Sequence, residues 1–183
     1  MQGKRGGDGH DGGAGEFSSP ACSLREVDDA WAGYATRDEV VALLSTMLEA
    51  ERAGAIVAAR SAAEAPPGAR AGLLEEVRRE EARWCAMLVR HLDALGAARS
   101  DAVGAFREKA LAIADLDARL AFLNRGQAWV ARKLREALPR IRDDALHRDL
   151  SAMLAGHEAA ISRVAAALDQ PAAGTNRGAT ESA

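Results

Sequence analysis

The sequence contains few aromatic and few β-branched residues, and it is rich in alanine, leucine, arginine and glutamate. Only 4% of its residues are aromatic. Strands favour side chains that branch at Cβ or carry a ring, whereas the four abundant residues are good helix formers or are well tolerated in helices. The composition therefore argues against a sheet-based fold and predicts an all-α protein.

Basic excess and long apolar runs are also missing. The formal net charge is -3, which gives no indication of a nucleic-acid partner, and we interpret the arginines of the third predicted helix as a solvated face (Arg119, Arg125, Arg132 and Arg135). No apolar run approaches the ~20 residues that span a bilayer, and the polar N-terminal segment has no signal-peptide pattern. We therefore expect a cytoplasmic protein that binds neither nucleic acid nor membrane.

Cysteine is scarce, and the motifs of several enzyme classes do not occur. Cys22 and Cys85 lie far apart, which is typical of free thiols in a reducing compartment rather than of a disulfide. The chain has no nucleophile elbow, no phosphate-binding loop and no Cys-x-x-Cys pair. Nothing in the sequence therefore supports hydrolase, kinase or thiol redox chemistry, and it leaves open whether the protein is an enzyme.

The composition changes twice along the chain. Seven of the first fifteen residues are glycine, and residues 1–35 have too little apolar content to form a core, so we predict a disordered leader there. Residues 36–168 carry the helical patterns and form the predicted domain. The small, polar residues 169–183 are predicted to be a disordered tail.

Apolar residues at three-and-four spacing predict four long amphipathic helices, at about 37–63, 69–95, 115–137 and 143–168. A capping box at Thr36 to Glu39 begins the first helix, and the connection 97–114 is predicted to contain a short helix capped by Ser100. Short, long and short connections between four long helices predict a four-helix bundle with a crossover from the second to the third.

Polar side chains interrupt the apolar face midway along each predicted long helix. The row formed by positions 77, 81, 84 and 88 favours Glu81 over Glu80 as the inward residue of the second helix. A buried carboxylate without a partner costs several kcal/mol, so we expect these polar groups to meet at one depth in the interior. The candidates are Glu51 on the first helix, Glu80 or Glu81 on the second, Gln127 or Asn124 on the third and His157 on the fourth.

Carboxylates and imidazole are ligands of iron, zinc and manganese, so the interior set suggests a cation site. In one hypothesis, a single divalent metal is held by Glu51, Glu81 and His157, with Gln127 or water completing the shell and Glu80 as the alternative carboxylate. In the other, the same groups form a metal-free polar core, and the bundle serves a structural role, self-association or partner binding. The residues alone leave both hypotheses open.

Three glycines lie beside the interior polar positions. Gly54 follows Glu51 by one helical turn, and Gly126 and Gly156 directly precede Gln127 and His157. Each glycine within a helix costs about 1 kcal/mol relative to alanine. We interpret the three glycines as positions of close approach between helices, or as room for a small ligand.

The helix pattern, the crossover and the central polar residues resemble the ferritin-like superfamily over about residues 37–168. Its diiron site takes a glutamate, a Glu-x-x-His pair, a glutamate and a second Glu-x-x-His pair from successive helices. Glu51 matches the first glutamate and Glu80 or Glu81 matches the glutamate of the second helix, whereas the remaining positions depart from the pattern. On the second helix, Arg83 or Trp84 replaces the histidine of the superfamily, and on the third helix Gln127 or Asn124 replaces the glutamate. On the fourth helix, His157 replaces the glutamate and Ala160 replaces the histidine.

Because two bridged metals need about four carboxylates, these departures disfavour a diiron oxidase or ferroxidase, which remains the weaker alternative. The segments EEARWCAML, FLNRGQAWV and MLAGHEAAI also resemble an uncharacterised bacterial ferritin-like family, a domain of unknown function. The resemblance to ferritin-like bundles implies that the chain forms homo-oligomers. It implies no particular reaction.

Overall fold

The computed structural model of the chain describes residues 32–170, and this part contains helices and turns but no strand. The prediction of an all-α protein is therefore confirmed for it. The disorder predicted for the two ends falls almost entirely outside the described residues. The α-helices of the described part are α1 (Arg37–Glu64), α2 (Ala69–Ala94), α3 (Gly104–Leu111), α4 (Leu116–Ala137) and α5 (Asp144–Leu168), with a 3-10 turn at Leu138–Arg140 between the last two.

The ends of the long helices lie within one residue of their predicted positions, because local capping determines several of them. The Thr36 side chain accepts a hydrogen bond from the Glu39 backbone N–H, and the Glu39 carboxylate accepts one from the Thr36 backbone N–H. The side chains of Asp115 and Asp143 cap α4 and α5 in a similar way. Each cap satisfies backbone donors that lack a partner inside the helix.

The predicted capping role of Ser100 is wrong. The helix α3 begins at Gly104, and its N-cap residue Val103 makes no side-chain capping hydrogen bond. The Ser100 hydroxyl instead accepts a hydrogen bond of 3.1 Å from the Ala102 backbone N–H. A serine that bonds two residues ahead stabilises a turn rather than a helix start, which explains why the helix begins later.

The long helices surround one interior. The helices α1 and α5 each pack against both α2 and α4, and the short α3 lies against α1 and α4. Near the start of α1, Arg37 Nη2 donates to the Leu95 carbonyl over 2.6 Å. Near its end, Glu64 accepts from Arg119 Nη1 over 2.5 Å. This packing is compatible with a four-helix bundle. No helix in the described part of the chain has the length and apolar character needed to cross a membrane.

The side chain of Arg119 corrects the prediction that all arginines of the third long helix face solvent. Arg119 is only 5% exposed, and its Nε donates to the Ile113 carbonyl over 2.8 Å. Its guanidinium also pairs with Glu64. A charge tolerates burial when its donors are satisfied and an opposite charge is near, so Arg119 joins the start of α4 to the end of α1.

The apolar core consists of two clusters. Along the sequence of each long helix, the interior polar residue lies between the residues of one cluster and the residues of the other. The first cluster includes Leu48, Trp84, Val130 and Met153. The second cluster includes Val57, Val77, Leu123 and Val164. A polar layer therefore divides the core about midway along the bundle.

Candidate functional site

Four buried polar side chains meet in this layer, one from each long helix: Glu51, Glu81, Gln127 and His157, which we call the polar cluster. None is more than 4% exposed. His157 Nε2 lies 3.2 Å from Glu51 Oε1, and Gln127 Nε2 donates to Glu81 Oε1 over 3.1 Å. The carboxyl groups of Glu51 and Glu81 are close enough to share a hydrogen-bonding proton. The structure thus brings the four predicted residues into one connected group.

Several atoms of the polar cluster lack the hydrogen bonds that buried polar groups normally make. Apart from a proton shared by the two carboxyls, both oxygens of Glu51 are without a partner in the described part of the chain, as are Gln127 Oε1 and His157 Nε2. The contact between His157 and Glu51 does not have hydrogen-bond alignment. An unsatisfied buried polar group costs about 1–3 kcal/mol. With both carboxyl groups ionised, the cluster would therefore contain more acceptors than donors.

Burial determines the protonation of the polar cluster. It raises the pKa of Glu51 to about 8. The pKa of Glu81 is raised well above its ordinary value, mainly by burial and then by the negative charge of Glu51. Burial also lowers the pKa of His157. Without a bound cation, the cluster accordingly favours protonated carboxyl groups beside a neutral imidazole at neutral pH.

Two of the sequence candidates lie outside the polar cluster. Glu80 is not one of its members, because the carboxylate accepts a hydrogen bond of 2.8 Å from Arg163 Nη2 and is 29% exposed. Successive residues of a helix point about 100° apart, so Glu81 faces inward while its neighbour reaches the rim of α5. Asn124 donates instead to the Ile161 carbonyl over 3.3 Å, and this contact joins α4 to α5.

At two of the three glycines beside the polar positions, a side chain of α2 occupies the space that a Cβ atom would fill. A Cβ atom at Gly54 would lie 2.7 Å from Glu81 Oε2, and one at Gly156 would lie 2.7 Å from Trp84 Cζ2. Both distances are shorter than a Cβ atom tolerates. The prediction of close approach at these glycines is thus confirmed. Gly54 provides the space in which the Glu81 carboxyl turns toward Glu51.

A cavity of about 460 Å³ lies beside the polar cluster, between α1, α3 and α4, and we call it the side cavity. Gly126 contributes to its wall, because a Cβ atom there would lie 2.7 Å from Phe106 Cζ. The position of the cavity was not predicted from the sequence, although Gly54 and Gly126, two of the glycines interpreted as close approach or as room for a small ligand, both line it. Its lining includes all four residues of the polar cluster together with Ala50, Ala53, Phe106, Phe122, Leu123, Trp129 and Val130.

Comparison with known protein families gives one match. The family described as a domain of unknown function, DUF6306, matches residues 38–167. The chain belongs to this family. No curated protein and no solved structure matches the chain. The expected membership of a domain-of-unknown-function family is therefore confirmed, and the ferritin-like relationship stays a prediction.

In the described part of the DUF6306 domain, the side chains of the polar cluster are not arranged around a common metal position. Within residues 32–170, no group of three or more histidine, cysteine, aspartate or glutamate side chains is placed so that it could hold a metal ion. The histidine contacts one carboxylate, and the amide contacts the other. Metal binding therefore requires the side chains of the cluster to move closer to one point.

Cys85 lies on α2 of the DUF6306 domain as a half-buried free thiol, and we expect it to react slowly. Burial, and then the charges of Glu51 and Glu81, raise its pKa to about 12. Because the thiolate is the reactive form, alkylation by iodoacetamide at pH 8 should be at least about a hundredfold slower than in unfolded protein. A Cys22→Ser variant isolates this thiol, and a folded rate within tenfold of the unfolded rate would contradict the prediction.

Proposed function

We propose that the DUF6306 domain of this chain is a ferritin-like four-helix bundle that binds a single divalent metal ion in its polar cluster. The supporting observation is Glu51, which is fully buried although, among residues 32–170, neither of its oxygens has a hydrogen-bond donor apart from a shared proton. A buried carboxylate is stabilised when it is paired or coordinates a metal. A cation at this position would satisfy the acceptors of the cluster together.

The donor set of the polar cluster fits one ion better than two. Glu51 and Glu81 supply two carboxylates, which balance the charge of one divalent ion, while His157 supplies imidazole nitrogen and Gln127 an amide oxygen. These are ligands for iron, manganese or zinc. A diiron oxidase or ferroxidase needs about four carboxylates, and this cluster contains two. Bound metal would supply Lewis acidity and, if it were iron or manganese, redox chemistry.

The proposed ferritin-like topology is supported by contacts at the helix ends. The end of α2 lies near the start of α1, where Arg37 contacts the Leu95 carbonyl. The start of α4 lies near the end of α1, where Arg119 pairs with Glu64. A connection from α2 to α4 along the length of the bundle is consistent with both contacts. Homo-oligomerisation and a cytoplasmic location are further parts of this proposal.

The metal content of the protein tests the proposal directly. Protein purified without chelator, and protein incubated with iron, manganese or zinc salts and then desalted, should retain about one metal ion per chain by elemental analysis. Removing the metal with a chelator should lower the thermal unfolding temperature, because a ligand of the native state stabilises it. Less than about a tenth of an ion per chain under all of these conditions would overturn the proposal.

Replacing His157 with alanine should weaken metal binding by roughly tenfold or more, because the imidazole is the only nitrogen ligand of the polar cluster. The matched control is His91→Ala. His91 is half-buried on α2, and its Nε2 lies 2.8 Å from Asp149 Oδ2, outside the cluster. Titration calorimetry should show affinity lost only in the first variant, and equal affinities in both would exclude His157 as a ligand.

A metal-free bundle that acts in self-association or partner binding is the second candidate. It is favoured by one observation, namely that the side chains of the polar cluster are not placed to hold a metal as they stand. In that case His157→Ala would change the stability of the protein equally with and without added metal. Metal-dependent stabilisation that disappears in this variant would favour the metal-binding function instead.

A further inference from the structure

The side cavity extends from the surface of the domain to the polar cluster. Thr46, Ala105 and Arg125 line it and are exposed, whereas Leu123 and Val130 line it and are buried. The cluster itself lines the cavity at its buried side. A molecule that enters the cavity from the surface would therefore pass Thr46 and Arg125 first, then the apolar walls, and would reach the polar cluster last.

The walls of the side cavity suit an apolar body. Phe106 of α3 and Phe122 of α4 stack with their ring centroids 5.0 Å apart, and both rings line the cavity. Trp129 and Ala50 add further apolar surface. A volume of about 460 Å³ lies within the range of about 300–1,000 Å³ that is typical of sites for small organic molecules.

The buried end of the side cavity selects the head group of such a molecule. Glu51 and Gln127 are among the residues that line the cavity. Within the described part of the chain, both oxygens of Glu51 and Oε1 of Gln127 are acceptors without a partner, apart from a proton shared with Glu81. A carboxylate head group would add further acceptors and negative charge, and a hydroxyl offers a single donor. An ammonium group offers three N–H donors and a positive charge, which matches this end of the cavity.

We propose that the side cavity binds a small primary amine with an apolar body, whose ammonium group donates to Glu51 and Gln127. The aromatic walls hold the hydrocarbon part, and Arg125 at the surface remains outside the amine-binding end. This binding does not depend on metal binding, because the same acceptors can serve either cation. The amine and the metal ion should therefore exclude each other. Either one can bind to the domain even if the other does not.

A series of probes with one hydrocarbon chain tests the head group. Hexylamine, 1-hexanol and hexanoate share a six-carbon chain and carry a cationic, a neutral and an anionic head at neutral pH. Titration calorimetry on chelator-treated full-length protein should show hexylamine binding with about 1:1 stoichiometry and at least tenfold more tightly than hexanol. Hexanoate should bind more weakly than either, and methylamine should lose at least tenfold relative to hexylamine because it lacks the chain.

Two variants and a control locate the binding. Glu51→Gln removes a carboxyl group from the buried end, and Ala105→Trp adds bulk at an exposed position of the lining without altering the core. Each should weaken hexylamine binding at least tenfold. Glu80→Gln changes a carboxylate that is bonded to Arg163 at the surface, and it should leave the affinity unchanged. Thermal unfolding of each variant confirms that it is folded.

The outcomes separate this inference from the metal-binding function. Equal affinities for hexylamine and hexanol, saturation by none of the probes at millimolar concentration, or unchanged hexylamine affinity in both Glu51→Gln and Ala105→Trp would each overturn the amine site. Metal binding without amine binding would overturn the amine site and leave the proposed metal-binding function intact. Amine binding without metal binding would overturn the metal-binding function and leave the amine site intact. Added zinc that displaces hexylamine would support the shared acceptors, and simultaneous binding of both would contradict them.

Discussion

Replacing Glu81 with glutamine is expected to lower the affinity for divalent metal at least about a hundredfold, whereas Glu80→Gln should leave it unchanged. The two residues are adjacent in the sequence and identical in chemistry. Glu81 is buried and contacts Gln127, but Glu80 pairs with Arg163 at the surface. Loss of a residue that merely orients a metal ligand costs about 10–100-fold in affinity, so loss of a carboxylate ligand should cost more.

The same substitution should have little effect on the stability of the metal-free protein. Glutamine has nearly the same shape as protonated glutamic acid, and burial already favours the protonated form of Glu81 by raising its pKa. Replacing buried ionisable groups by neutral ones of similar volume is often neutral or stabilising. We therefore expect the free energy of unfolding of Glu81→Gln, measured in chelator, to lie within about 1 kcal/mol of the wild-type value.

Titration calorimetry and chemical denaturation of the three proteins measure the two effects separately. A large loss of stability without metal would show that Glu81 has a structural role that glutamine cannot replace. Equal metal affinities of the Glu80 and Glu81 variants would show that the ion, if bound, lies outside the polar cluster. The adjacent control removes general effects of exchanging a carboxyl group for an amide on α2, because both substitutions make the same chemical change at neighbouring positions.

Local patterns in the sequence determine the helices and the depth of the polar cluster. Apolar spacing and the caps at Thr36, Asp115 and Asp143 locate the helix ends within one residue. The same spacing identifies Glu51, Gln127 and His157 as inward residues. It also favours Glu81 over Glu80, since position 81 shares a row with Val77, Trp84 and Leu88, all of which are buried.

Features that depend on contacts between distant segments could not be predicted in this way. Arg119 has the sequence context of a solvated arginine. Its burial is explained by the Glu64 and Ser61 side chains of α1 and by the Ile113 carbonyl of the preceding loop, which accept its hydrogen bonds. The side cavity depends on where α3 lies against α1 and α4. The pairing of His157 with Glu51, and of Gln127 with Glu81, likewise required the packing of the four helices.

Replacing Gly54 with alanine should both destabilise the domain and weaken metal binding. The new Cβ atom would lie 2.7–2.9 Å from the carboxyl atoms of Glu81, so that carboxyl has to move. Glu81 is buried and accepts a hydrogen bond from Gln127, so movement of the carboxyl breaks this polar contact. We expect a loss of roughly 1–3 kcal/mol in the free energy of unfolding, and at least a tenfold loss of metal affinity.

Gly72→Ala is the matched control, because Gly72 also lies within a helix, but in the described part of the chain no atom outside its own stretch of helix lies within 4 Å of the position its Cβ would occupy. Alanine is the better helix former, so this variant should gain roughly 0.5–1 kcal/mol. The two identical substitutions should therefore change stability in opposite directions. If Gly54→Ala were instead as stabilising as Gly72→Ala and kept full metal affinity, the Glu81 carboxyl would be free to lie elsewhere, and close packing would not hold the polar cluster together.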